Sequence, residues 1–258
     1  MRIGRRLGVC LLALGGALAV AGSAGAQSDK LEGPLIRPAL SSKDPHDLSG
    51  VWFIRSYNRQ INATTGRVPD LTPLGKKERD LRVEQEKQGT PVADASAYCW
   101  PHGVPRVMNS PYPIQMIQKP DEIVIVHEVA HNVRHIYMNT PHSTPVKTAF
   151  MGESVGHWEG DTLVIDTVGL APQAVLQTGV THSKNEHIVE RYRLSEPNML
   201  EVKTTIEDPG VLAKPWETNA RYLRHPEYSL AEYICEQNNR NSFENGKAGL
   251  NLEFKKAP

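Results

Sequence analysis

Short hydrophobic stretches separated by turn-forming clusters dominate the chain from residue 113 onward. In residues 199–208 the apolar residues Leu200, Val202 and Ile206 alternate with polar ones, a period of two that indicates a half-buried strand. Similar stretches flank the clusters at 119–121, 160–161 and 195–198, as in β-hairpins. The pattern predicts about eight or nine strands. They are expected over residues 50–57, 114–118, 122–128, 156–159, 162–166, 187–194, 199–208, 216–223 and 230–235.

One helix is expected on the surface of this protein. Thr72 followed by Pro73 is a favourable start, because a hydroxyl caps free N–H groups and proline suits the first helical position. Charged residues dominate positions 74–88, and Gly89 ends the stretch. Together, the strands and the helix predict an all-β fold, a single-domain barrel or sandwich with one surface helix.

The N-terminal residues have the pattern of a secretory signal peptide. Arginines precede an apolar run over residues 7–20, and Ala24-Gly25-Ala26 resembles a cleavage site. We therefore expect an exported protein, periplasmic or extracellular, with the Sec and twin-arginine routes both open. The expected organisation is a signal peptide at 1–26, an extended lead-in at 27–48 and a single β domain at 49–258.

Composition narrows the range of partners. The chain has 29 Lys+Arg and 29 Asp+Glu, so it lacks the basic excess that phosphate binding requires, and we expect no nucleic-acid partner. We also expect no stable membrane insertion after signal cleavage. The two cysteines that would remain, Cys99 and Cys235, most simply form a disulfide in an oxidising compartment. The alternative is two separate buried thiols.

A literal H-E-x-x-H occurs at residues 127–131. On a helix, His127 and His131 could bind one zinc ion, with Glu128 as general base. The candidates for a third ligand are His135, His142, Glu153 and Glu159. However, β-branched residues at 123–126 and a strand-like stretch at 133–138 favour a strand, a turn and a second strand, which would separate the histidines. We therefore favour no metal or other cofactor. A zinc site of His127, His131 and His135 remains the alternative.

Several segments together resemble a family of secreted bacterial proteins that carry a G-x-W-E-G-D-T-L-V-V motif. They are Asp47-Leu48-Ser49-Gly50-Val51-Trp52, residues 98–106, Gly156-His157-Trp158-Glu159-Gly160-Asp161-Thr162-Leu163-Val164 and residues 229–238. The last position of the motif departs from it, being Ile165. The resemblance implies membership without an assigned function. It also implies a β-hairpin at 122–139, in a family where the first histidine of H-E-x-x-H is usually replaced.

The first predicted strand carries a second, shorter resemblance. Gly50-Val51-Trp52 is similar to the G-x-W of lipocalins, whose tryptophan closes the barrel end under an arginine. This similarity covers three residues, and it agrees with a lipocalin-like or calycin-like barrel.

A small β-barrel can enclose one ligand, so polar residues on the predicted strands are candidates for a site. A histidine beside a carboxylate can act as an acid/base pair near neutral pH, and an arginine would bind a carboxylate or enolate. Strand alternation places His187 and Arg191 on one face and Glu190 on the other. The candidate catalytic residues are His187, Glu190, Arg191, His182 and Glu128, and the candidate ligand-binding residues are Arg134, His142, His157 and Trp158. The alternative for each is a structural ion pair, cap or core role.

These observations lead to different functional hypotheses. The first is an exported β-barrel with a small-molecule pocket, either a binding protein or a cofactor-free acid/base lyase, isomerase or hydrolase. The second is a zinc-dependent hydrolase that uses the H-E-x-x-H segment. The third is an envelope interaction domain without a small-molecule site, which a barrel interior filled with aliphatic side chains would favour.

Overall fold

A closed barrel of nine strands forms the core of the computed structural model. The structure describes residues 43–58, 60–61, 66–88, 98–177, 179–235, 241–244 and 247–250. The predicted signal peptide and residues 27–42 of the lead-in lie outside the described residues. The barrel strands are β1 (Gly50–Ile54), β2 (Ile114–Gln118), β3 (Glu122–His127), β4 (Val133–Met138), β5 (Glu153–Glu159), β6 (Thr162–Val168), β7 (His187–Glu196), β8 (Met199–Glu207) and β9 (Trp216–Arg224). A separate hairpin consists of β10 (Asn241–Glu244) and β11 (Lys247–Leu250). The predicted all-β barrel is confirmed.

The barrel closes because β1 pairs with both β2 and β9. Neighbouring strands are antiparallel except β4 and β5, which run parallel. A parallel pair needs a connection that returns along the strands, and residues 139–152, the crossover strap, provide it. The tight turns at 119–121, 160–161 and 197–198 lie at one end of the barrel, the hairpin end. The longer connections meet at the other, the loop end.

Trp52 closes the hairpin end. Its side chain is fully buried, and its indole N–H donates to the Leu48 carbonyl at 2.9 Å. The guanidinium of Arg224, on β9, lies 4.5 Å from the centre of the ring, within the range of a cation–π contact. The first and last barrel strands are thus joined by the tryptophan–arginine stack that the G-x-W similarity implies.

The loop end is covered by two connections. Residues 98–113, the cap segment, bury Val104, Val107 and Met108 in the core, and residues 169–186 bury Ala174 and Leu176 there. The predicted Cys99–Cys235 disulfide is present, with a Cα–Cα distance of 5.6 Å. It ties the cap segment to the chain that follows β9.

The surface helix α1 (Pro73–Lys87) begins where the sequence predicts. The Thr72 hydroxyl accepts the N–H of Gly75 at 3.1 Å, which is the expected capping contact. A Cβ at Gly75 would lie 2.6 Å from the carbonyl oxygen of Val211, so the helix can approach this loop only with glycine there. Leu74 and Leu81 are exposed, as expected of a surface helix. No helix among the described residues is long and apolar enough to cross a membrane.

Three strand predictions differ from the structure by three residues or more. Strand β1 ends at Ile54 rather than at residue 57. Residues 230–234 form no strand; instead the N–H of Ala231 donates to Glu128 at 2.7 Å and that of Tyr233 to His131 at 3.1 Å. The closed barrel leaves no free edge that this segment could join. Strand β5 begins at Glu153 rather than at 156, because Ser154, polar in sequence, is buried by its contact with an interior arginine.

The H-E-x-x-H segment forms a strand, a turn and a second strand. Strand β3 ends at His127, a short 3-10 turn covers Val129–His131, and β4 begins at Val133. Ala130 and His131 have φ values of 53° and 47°, in the left-handed region that a continuous right-handed helix excludes. The favoured sequence interpretation is confirmed, and the helix that the zinc hypothesis requires does not form.

Candidate functional site

Polar side chains converge inside the loop-end half of the barrel. Alternation along each strand brings them there, because every second residue faces inward. On β7, for example, Ile188, Glu190 and Tyr192 are buried, whereas Arg191 is exposed. We name this group the interior cluster. It consists of His127, Arg134, Ser154, Thr167, Glu190 and Tyr192.

A buried ion pair holds the interior cluster together. The Arg134 and Glu190 side chains are 1% and 0% exposed, and Nη2 of Arg134 donates to Oε2 of Glu190. Nη2 also donates to the Thr167 hydroxyl at 2.8 Å, and Nε donates to the Ser154 hydroxyl at 3.0 Å. The Tyr192 hydroxyl donates to Oε1 of Glu190 at 3.1 Å. Burial opposes the charge of Arg134, but its interactions with Glu190 and Tyr192 outweigh burial and raise the pKa of Arg134. The Arg134 guanidinium therefore keeps its positive charge inside the barrel.

Not all of this hydrogen-bonding capacity is used. Nη1 of Arg134 and both ring nitrogens of His127 have no hydrogen-bond partner among the described residues. His127 is completely buried, and its burial, together with the charge of Arg134, lowers its pKa to about 3. At neutral pH its ring therefore presents one donor and one acceptor. A buried polar group without a hydrogen-bond partner lowers the free energy of unfolding by about 1–3 kcal/mol. These atoms therefore destabilise the folded protein and could donate to or accept from a bound molecule.

The register places further hydroxyl groups at the level of Glu190. Glu190 pairs with Thr204 on β8, and Thr204 pairs with Thr218 on β9. Both threonines are buried. The next inward row towards the hairpin end is Tyr192, Val202 and Ala220. The barrel interior therefore has a polar belt towards the loop end and apolar residues towards the hairpin end, and it is not a uniformly aliphatic core.

Met108 of the cap segment lies directly on the interior cluster. The Tyr222 hydroxyl donates to the Met108 carbonyl, and the Tyr192 hydroxyl oxygen lies 3.7 Å from the Met108 sulfur. A thioether is flexible and apolar, so its side chain can move aside without leaving a charge unpaired. Through these contacts the cap segment covers the interior cluster at the loop end.

A second group of titratable residues lies on the outer face, and we name it the outer cluster. It consists of His142, Glu153, Asp166, His187 and Glu207. Nε2 of His142 and Nε2 of His187 lie 2.9 and 2.8 Å from the two oxygens of Asp166. The other nitrogen of each ring faces a glutamate, Glu153 at 3.1 Å and Glu207 at 3.5 Å. The crossover strap is thereby attached to the barrel wall through His142.

The outer cluster favours charged forms. Burial alone would raise the pKa of Asp166, but the hydrogen bonds from His187 and His142 outweigh it and lower that pKa. Burial likewise opposes the charge of His187, yet the contacts with Asp166 and Glu207 raise its pKa. Two predicted site residues therefore meet at Asp166, which sequence reasoning missed. Asp166 pairs with Val189, two residues from His187, so only the register of β6 and β7 would have identified it.

Other predicted site residues lie apart from both clusters. The His182 ring lies between the carbonyls of Ala171, at 2.8 Å, and Ser183, at 2.9 Å, and so closes the 169–186 connection. Glu128 accepts the N–H of Ala231 and thereby fixes the chain after β9. Both roles hold loops in place.

The remaining candidates lie on the outer surface. Arg191 and His157 both contact the carboxylate of Glu159, at 2.5 and 3.1 Å. The Trp158 ring packs against His46, with 4.3 Å between ring centres. Strand alternation therefore divides the predicted residues. Glu190 and Arg134 face the barrel interior, whereas the remaining candidates lie on its outer surface. The site also contains Tyr192, Ser154 and Thr167, which were not predicted, because hydroxyl groups and aromatic residues on strands carry no distinctive pattern. His127 was predicted only as an alternative zinc ligand.

The alternative zinc ligands do not come together. His127 lies inside the barrel, His131 accepts the N–H of Tyr233 at the turn, and His135 is half exposed and contacts Glu122 at 2.6 Å. The described part of the chain contains no group of three or more His, Cys, Asp or Glu residues arranged to hold a metal ion. The zinc alternative thus loses the geometry on which it depended.

Comparisons with known proteins add little. No protein-family model and no curated protein matches the chain. Among solved structures, an abundant heat soluble (SAHS) protein from Ramazzottius varieornatus is similar over 69% of this chain and 95% of its own, at 13% identity and a TM-score of 0.32. That score supports no inference, so the fold rests on strand pairing alone. The resemblance to secreted bacterial proteins stays a prediction.

Proposed function

We propose that this protein binds a small, largely apolar organic molecule inside the barrel, with the polar group of that molecule held by His127 and Arg134. The observation that carries this proposal is the unused hydrogen-bonding capacity of the interior cluster. His127 and Arg134 are buried on adjacent strands, where Arg134 pairs with Ile125, two residues before His127. Three of their nitrogen atoms have no partner among the described residues. A protein that gained nothing from the His127 ring would be more stable with an apolar residue in its place.

The same contacts favour binding over acid/base catalysis. Both oxygens of Glu190 already accept hydrogen bonds within the protein, from Arg134 and from Tyr192. The pKa of His127, about 3, makes its ring a weak base near neutral pH. Groups of this kind orient a ligand rather than transfer protons to it.

The apolar part of the interior suits the rest of such a molecule. Ile125, Ile136 and Ile188 are fully buried next to the polar belt, and Leu200 and Val202 lie closer to the hairpin end. Pockets for small molecules commonly combine apolar walls with a few oriented polar groups. The disulfide fits an exported protein, so we propose a periplasmic or extracellular binding protein.

Titration with N-phenyl-1-naphthylamine, an uncharged apolar fluorophore, tests the proposal. We expect saturable binding at one site per chain in the wild-type protein. Ala220→Phe should reduce the affinity at least tenfold, because residue 220 lies in the inward row of Tyr192 and Val202. Asn219→Phe is the matched control, since Asn219 is the exposed neighbour on the same strand, and it should bind as the wild type does.

The result that would overturn the proposal is the absence of saturable binding, or equal loss of binding in both variants. Circular dichroism and urea unfolding of both variants establish that the barrel remains folded. If Ala220→Phe does not fold, Thr218→Val provides the second measurement, because it changes the polar belt with little change in volume and should alter the affinity while the barrel stays intact.

A further inference from the structure

We infer that the interior site selects ligands with an uncharged oxygen acceptor, such as a ketone or aldehyde carbonyl, and discriminates against carboxylates. This inference rests on the proposed function and specifies the chemical class of its ligand. The sequence suggested the opposite preference, because an arginine in a pocket is ordinarily a carboxylate partner.

The count of unused donors and acceptors points to an oxygen acceptor. Nη1 of Arg134 carries two N–H groups, and the neutral His127 ring carries one N–H and one lone pair. Donors thus exceed acceptors among the unused groups. A carbonyl oxygen accepts two hydrogen bonds, so it can satisfy Arg134 and His127 together, whereas an ammonium group, which has no lone pair, could satisfy only the single lone pair of His127.

The charge balance decides between a carbonyl and a carboxylate. The positive charge of Arg134 is already compensated by Glu190, through a contact in which both side chains are almost completely buried. A ligand carboxylate would add a negative charge beside Glu190 with no cation left to compensate it. Desolvating such a charge is far more unfavourable than burying an uncharged ketone.

No other charge within the described interior changes this balance. The charged or titratable groups that face Arg134 are Glu190, His127 and the tyrosines Tyr192 and Tyr222, and the His102 ring of the cap segment lies near His127. Burial raises the pKa of both tyrosines, so they are uncharged at pH 7.5. The neighbouring hydroxyl groups of Ser154 and Thr167 are already engaged with Arg134. The site is therefore a neutral one with spare donors.

Competition against N-phenyl-1-naphthylamine with chain-matched probes tests the inference. The probes are undecan-2-one, undecanoate and undecane at pH 7.5. We expect the ketone to displace the fluorophore at concentrations at least tenfold lower than undecanoate. The ketone should also bind more tightly than undecane. The His127→Leu variant should bind the two equally well, with its affinity for undecane unchanged from the wild type.

Glu190→Gln provides the sharpest variant, because it keeps the shape of the side chain and leaves Arg134 uncompensated. In this variant we expect undecanoate to bind as well as or better than the ketone. Glu207→Gln, on the outer face, is the control and should retain the wild-type order. If Glu190→Gln does not fold, acidifying the wild-type protein until undecanoic acid is uncharged should bring its affinity close to that of the ketone.

The outcomes separate this inference from the proposed function. Equal or tighter binding of undecanoate by the wild-type protein would overturn the selectivity while leaving the binding function intact. Failure of the fluorophore and of all probes to bind would instead overturn the proposed function.

Discussion

The interior and outer clusters combine the same kinds of side chain in opposite surroundings. His127 lies near Arg134, whose partner is a carboxylate, and His187 contacts carboxylates directly. The His127 side chain is fully buried, whereas that of His187 is about a third exposed. Burial and the charge of Arg134 lower the pKa of His127, whereas Asp166 and Glu207 raise that of His187 against a smaller burial effect. What determines the charge of a histidine here is thus whether its ring faces a free carboxylate.

The comparison explains why only one cluster is proposed as a binding site. In the outer cluster every histidine nitrogen faces a carboxylate, so its hydrogen bonds are satisfied within the protein. In the interior cluster the carboxylate is occupied by Arg134 and the histidine is left without a partner. The first arrangement stabilises the protein, whereas the second lowers its stability and keeps donors available.

The largest effect is expected from breaking the interior ion pair. Arg134→Met should lower the free energy of unfolding by about 3–5 kcal/mol, because it leaves the buried Glu190 charge uncompensated. The double variant Arg134→Met with Glu190→Leu should recover most of that loss, since no charge is then buried alone. Urea unfolding monitored by circular dichroism measures both.

The control for this prediction comes from the outer surface. Arg191→Met removes the exposed contact with Glu159, and pairs of this kind contribute about 0–1 kcal/mol. A loss in Arg134→Met no larger than in Arg191→Met would contradict the assignment of a buried, ionised pair.

An intermediate effect of opposite sign is expected at His127. His127→Leu should raise the free energy of unfolding by about 1–3 kcal/mol at pH 7.5, because it removes unpartnered buried nitrogens. It should also reduce the loss of stability in acid. The ring has a pKa of 6.5 in the unfolded chain and of about 3 in the folded protein. As pH falls below 6.5, only the unfolded chain binds a proton at this ring, so the free energy of unfolding decreases.

The measurement is urea unfolding at pH 7.5 and pH 5, with His135→Leu as the exposed control. Between these two pH values the wild-type protein should lose stability that His127→Leu retains, at about 1.4 kcal/mol per pH unit below 6.5. Identical pH slopes in the wild type and His127→Leu would contradict the buried, neutral state of this ring.

The fold was predictable from sequence because it depends on local patterns. Alternation in 199–208, the Thr72-Pro73 helix start and the β-branched residues before His127 each correspond to an observed element. Alternation also placed Glu190 on the opposite face from His187 and Arg191, which the burial of Glu190 matches.

The site was less predictable because it depends on contacts between distant strands. Arg134 meets Glu190 across a barrel whose closure and register no local pattern specifies, and Ser154 and Thr167 become site residues only because they lie between them. Asp166 likewise forms hydrogen bonds with His142 of the crossover strap and with His187 of β7. Sequence identified the titratable residues but could not divide them between the inner and outer faces of different strands.

The smallest effect is expected in the outer cluster, and its pH dependence should be opposite to that of His127. Because the pKa of His187 is raised, its contribution to the free energy of unfolding is complete below pH 6.5, the ordinary histidine pKa. That contribution is lost as pH rises through the raised pKa. The lowered pKa of Asp166 means that its contribution is present above about 3.8 and is lost as pH falls through the lowered value. His187→Gln should therefore lower the free energy of unfolding by about 0.5 kcal/mol at pH 6, reduced by solvent screening, and by less at pH 9. His157→Gln, beside the exposed Glu159, is the control. A penalty for His187→Gln that grows between pH 6 and pH 9 would show that the ring is held neutral, and the contrast between the two clusters would then fail.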